Sequence, residues 1–126
     1  MTQLEFIEQI IKEKEAVILD ANDKIWSYAE LPYEETRSSA LLCSILESEG
    51  FTVETGVAEI PTAFVARYVV GTGKPVMGIL GEFDALATLS QKAGCTVKDP
   101  VQNGGSGHGC GHCCLGTGAL AAALAV

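Results

Sequence analysis

From Leu115 to Val126 the sequence runs through leucine, alanine, glycine, one threonine and a final valine, without a single charge. Alanine and leucine favour helix, so the stretch predicts a helix that is apolar on every side. Such a helix persists only where neighbouring elements cover it, so the chain must fold in layers around it. At 126 residues there is enough chain for one domain with a modest core, and not for two. The helix carries no polar terminator or glycine cap, and this sets up the expectation of a longer parent protein. The alternative is a small protein that buries the helix by oligomerising.

The rest of the chain supplies the partners. Leu4, Ile7, Ile10 and Ile11 recur at helical spacing, and Val17, Ile18, Ile25 and Trp26 continue the pattern. They predict one long helix, or two in tandem, over residues 3–29. Thr2 stands as the cap, with Glu5 at the capping-box position. Leu31-Pro32 ends the run, because the residue before proline is pushed out of the helical region. A second amphipathic helix is expected from about Glu35 to Glu49, burying Leu41, Leu42, Ile45 and Leu46, with Gly50 at its left-handed cap. The period then changes. Phe51–Glu59 and Thr62–Val70 are rich in β-branched residues and predict two adjacent strands, and the apolar run Val76–Leu80 predicts a third. A long loop over 87–109 leads to the apolar helix. The order helix, helix, strand, strand, strand, loop, helix predicts an α/β sandwich.

Charge and cysteine content narrow the function classes. A net charge of −8, with eight scattered basic residues, excludes a phosphate-binding face, so no nucleic-acid partner is expected. The apolar helix is too short to span a bilayer, and Glu5 and Glu8 interrupt the first apolar residues where a signal peptide would need a continuous run. No membrane association is expected. Five cysteines, three of them within Cys110–Cys114, point to free thiols or metal ligands in a reducing cytoplasm.

Three clusters can carry chemistry. Gly107-His108-Gly109-Cys110-Gly111-His112 holds both histidines of the chain, directly before the apolar helix. Cys110 and His112 can bring a thiolate and an imidazole onto one divalent cation, and the helix N-terminus favours the thiolate. A tight glycine turn with Cys110 packed as a small apolar side chain is the plain alternative. Gly81-Glu82-Phe83-Asp84 follows the third expected strand, where ligands of α/β sheets gather. Asp84 can accept a hydrogen bond from a ligating histidine, or simply cap the loop. Cys110-x-x-Cys113, with Cys114 adjacent, has the spacing of a redox dithiol or half a zinc knuckle, but lacks a second ligand pair.

Taken together, Ile60-Pro61-Thr62-Ala63-Phe64, Gly81-Glu82-Phe83-Asp84-Ala85-Leu86 with Leu89-Ser90-Gln91, and Gly107 to His112 with Leu115-Gly116-Thr117-Gly118 resemble a known family. It is the metallopeptidase family of aminoacylases, hippurate hydrolases, indole-acetyl-amino-acid hydrolases and p-aminobenzoyl-glutamate hydrolases. The resemblance implies a partial three-layer α/β sandwich of the zinc-peptidase (phosphorylase/hydrolase-like) type. It implies that residues 1–126 are the N-terminal part of the catalytic domain, without the lid/dimerisation domain or the C-terminal half. It makes Cys110 and His112 two ligands of a two-metal centre of Mn or Zn, and Asp84 the aspartate that supports a ligand. Glu82 falls where more distant peptidases have a ligating histidine. The implied reaction is metal-assisted hydrolysis of the amide bond in N-acyl amino acids or dipeptides, by a homo-oligomer or a paired subunit. No histidine follows His112 and no acid follows Asp99, so the catalytic glutamate has no counterpart and the chain alone is expected to be inactive. Cys113 departs from the family, where an asparagine or aspartate is expected. A non-catalytic metal- or partner-binding protein is the competing reading, and a cysteine redox protein a third.

Overall fold

The computed structural model describes residues 1–126 as helix α1 (Gln3–Tyr28), helix α2 (Thr36–Ser48), strands β1 (Thr52–Thr55) and β2 (Phe64–Arg67), and helix α3 (His112–Ala125). The class is mixed α/β. α1 begins at the expected capping box: the Thr2 hydroxyl accepts from Glu5 N, and the Glu5 carboxylate accepts from Thr2 N. It closes on Ala29 in the left-handed region, with Ala29 N donating to Ile25 O at 3.1 Å. The start of α2 is capped from outside. The carboxylate of Glu30 accepts from Arg37 N at 2.9 Å, from Ser38 N at 2.8 Å and from the Ser38 hydroxyl at 2.7 Å. Glu35, next to the helix, instead accepts from the Thr62 hydroxyl and ties the hairpin connection to α2.

β1 and β2 pair antiparallel, with Val53 opposite Ala66 and Thr55 opposite Phe64. Val53, Phe64 and Ala66 turn inward, while Glu54 and Arg67 pair at 3.0 Å on the outer face. The core gathers Ala21 and Ile25 of α1, Leu42, Ile45 and Leu46 of α2, and Cys113 and Leu120 of α3.

Two expectations are corrected. Val76–Leu80 is not a strand: the sheet has two strands, and Val76 and Leu80 are 88% and 93% exposed. A strand needs a ladder partner, and none lies beside this run, whose apolar sequence carries no information about pairing. The apolar helix starts earlier than expected, at His112, and buries one stripe, Cys113, Gly116, Thr117, Leu120 and Ala125. Leu115 stays 47% exposed, because α1, α2 and the segment at Gly81–Phe83 cover only that stripe.

Candidate metal centre

The end of α1 organises the loop before α3. The Ser106 hydroxyl donates to Ala29 O, and His108 Nε2 bonds Ile25 O at 3.0 Å. His108 Nδ1 accepts from Cys113 N at 3.3 Å, so the proton of this ring belongs on Nε2. Burial is the main influence on His108 and pulls its titration below the ordinary value, keeping it neutral. Both nitrogens are engaged, and His108 is a tie between two helices.

The acidic segment is fixed by separate contacts. Ala85 is fully buried and its N donates to Glu30 O at 2.7 Å. Leu86 and Gly107 exchange both backbone hydrogen bonds, each at 3.0 Å, which joins the acidic segment to the histidine loop. A side chain at Gly107 would place Cβ 2.2 Å from Leu89 O, so only glycine fits this crossing. A Cβ at Gly116 would lie 2.9 Å from Phe83 Cβ, and its absence lets Glu82-Phe83 lie against α3. Phe83 also stacks on Phe64, with ring centroids 6.1 Å apart.

These contacts bring Glu82, Asp84 and His112 together, with one ligand atom from each within 4.8 Å of the others. His112 Nδ1 lies 2.8 Å from Asp84 Oδ1, and Nε2 lies 3.2 Å from Glu82 Oε2. With the Nδ1 proton given to Asp84, Nε2 presents a lone pair to a carboxylate oxygen. A metal cation between them would satisfy both. The donors suit a divalent cation: ligands about 2.1 Å from a tetrahedral ion lie roughly 3.4 Å from each other, close to the spacing found. His112 and Asp84 are mostly buried, while Glu82 is open to solvent.

Of the residues singled out from sequence, Asp84 and His112 are thus in direct contact. Cys110 is exposed and stands outside the three-residue group. Glu82, whose role the sequence leaves open, faces the second ring nitrogen. Its place two residues before Asp84 is the available signal, since alternate residues leave an extended segment on one side. Burial, first among the influences on it, pushes the Cys113 thiol up to about 11.

No family model matches the chain. Over 121 residues, 96% of its length, it is 50% identical to a p-aminobenzoyl-glutamate hydrolase subunit of Escherichia coli (strain K12). The likeness to that hydrolase runs along nearly all of the chain. It is also 30% identical over 112 residues, 89% of its length, to Thermostable carboxypeptidase 1 of Saccharolobus solfataricus. The chain spans 25% of the length of the hydrolase subunit and 28% of that of the carboxypeptidase.

Proposed function

We propose that the chain carries part of the metal centre of an amidohydrolase that cleaves N-acyl amino acids, p-aminobenzoyl-glutamate among them, in a fold of the three-layer zinc-peptidase type. The observation that carries this reading is His112 held between Asp84 at Nδ1 and Glu82 at Nε2. The names of the two relatives support it, since a p-aminobenzoyl-glutamate hydrolase and a carboxypeptidase both release an amino acid from an amide.

In this reading His112 Nε2 is a ligand to Mn or Zn. Asp84 accepts the Nδ1 proton, which fixes the tautomer and ring orientation and raises ligand basicity. Cys110 is a further ligand, its exposed thiol two residues before His112 beside the left-handed Gly111. Glu82 offers an oxygen on the solvent side. A divalent ion held by these residues, one of two in the proposed centre, would supply Lewis-acid chemistry, polarising a scissile carbonyl and acidifying water. Asp84 is a positioning residue, with its carboxylate committed to the histidine. Asp84 and Glu82 are both engaged at His112 in this reading, which leaves neither free to take a proton from water, and the chain alone is expected to be inactive. A partner subunit or a second copy belongs to the same proposal, as does a reducing, cytoplasmic setting for the five free cysteines. The missing base equally suits a non-catalytic metal- or partner-binding protein, the second reading.

The test is equilibrium dialysis of the purified chain against Zn²⁺ and Mn²⁺, with p-aminobenzoyl-glutamate hydrolysis measured alongside. Loss of one bound ion per chain in His112→Ala and in Cys110→Ser, without turnover, is expected. Enzyme-like turnover by the 126-residue chain would overturn its assignment as inactive. Binding indifferent to His112 would overturn the centre.

A further inference from the structure

Cys113 and Cys114 stand outside the three-residue group, and the proposed hydrolysis uses neither thiol. Side chains one apart on a helix do not ordinarily face each other. Here the two sulfurs are turned together, 3.9 Å apart. A disulfide does not suit this position. Bridged cysteines have Cα atoms about 4.4–6.8 Å apart, whereas adjacent residues on a trans peptide are held at about 3.8 Å. The turn that carries them is braced by the Thr117 hydroxyl, which donates to Cys113 O at 2.8 Å. Both thiols are free, Cys113 anchored in the core and Cys114 exposed.

The spacing itself suggests a ligand. Two sulfurs bound tetrahedrally to zinc, each about 2.3 Å from the ion, lie about 3.8 Å apart. The pair therefore needs almost no rearrangement to chelate one ion of that size. Thiolates select soft ions. Access is from the Cys114 side, where the sulfur meets solvent.

We propose that Cys113 and Cys114 form a two-thiolate site for a thiophilic divalent ion of the zinc and cadmium class, separate from the centre at His112. On binding, each thiol releases its proton to solvent and two sulfur–metal bonds form. Water fills the remaining positions, and no electron changes hands.

The experiment uses Cd²⁺ as the probe and the ultraviolet thiolate-to-cadmium band as the signal, on the reduced full chain. A Cys110→Ser/His112→Ala background removes the neighbouring centre. There the band is expected to remain at one Cd²⁺ per chain, and to weaken at least tenfold in affinity when Cys114→Ser is added. Cys114 is exposed, so its replacement is expected to leave the far-ultraviolet circular dichroism unchanged, and Cys114→Ala repeats the reading without a hydroxyl. No band in the double-variant background would overturn the proposal. A band that survives both Cys114 replacements would do the same.

Discussion

A neutral imidazole has one proton and one lone pair, and His112 has a carboxylate at each nitrogen. That mismatch gives the site its chemical character, because a cation between Nε2 and Glu82 resolves it. The two acids are then unequal. Asp84, at 2.8 Å from Nδ1, orients the ring, and Glu82 meets whatever the ring binds. Replacing Asp84 with asparagine keeps the shape but can present an N–H to Nδ1 and removes the charge that supports the ligand. Zn²⁺ affinity in Asp84→Asn is expected to fall about 10- to 100-fold, as for other partners of ligating histidines, with little change in thermal stability. Isothermal titration checks this. An affinity equal to that of the wild type would leave Asp84 as a loop cap only.

At the scale of elements, the centre depends on two close approaches. Gly116→Ala forces a methyl to 2.9 Å from Phe83 Cβ, so a loss of about 1–3 kcal/mol is expected in urea unfolding, together with weaker metal binding as Glu82 and Asp84 move off α3. The cap of α2 makes a pH prediction. Burial works to raise the Glu30 carboxyl, but the hydrogen bonds from Arg37 and Ser38 outweigh it and hold the group below its ordinary 4.5. Its stabilising contribution is therefore complete above that value and is lost as pH falls through the folded value. Glu30→Gln is expected to lower the urea midpoint at neutral pH and to flatten its decline on acidification, measured from pH 7 to pH 3. The capping box at Thr2, the amphipathic stripe of α2 and Gly50 were legible in the sequence because each signal is local. The hairpin was legible in place but shorter than expected, since only four residues per strand keep the ladder. The run Val76–Leu80 misled, because strand formation depends on a partner that composition does not reveal. The cap from Glu30 was not legible either, reaching seven and eight residues along the chain to the start of α2.

For the whole molecule, the same locality governs what the sequence revealed of the site. Asp84 and His112 could be paired from residue type, and 28 positions separate them. The contact of Glu82 with Nε2 required the Leu86–Gly107 crossing, which joins segments that no periodicity links. The outer side of α1 remains apolar: Ile7, Ile11, Ile18 and Leu19 line a groove with Ala121 of α3, and Leu4 and Leu19 are 64% and 54% exposed. An apolar face of this kind favours association, so sedimentation velocity is expected to show concentration-dependent self-association that Leu19→Lys weakens. No helix is long and apolar enough to cross a membrane. Metal binding to the folded chain adds stability by mass action, about 2.7 kcal/mol at a hundredfold excess over Kd. The most direct test of the centre is therefore Zn²⁺ stoichiometry by equilibrium dialysis, for the wild type and for His112→Ala. About one ion per chain bound at His112 in the wild type, and lost in His112→Ala, is the expected result, taken in the Cys114→Ser background so that the dithiol does not contribute. Zn²⁺ retained in full by His112→Ala in that background would contradict the account.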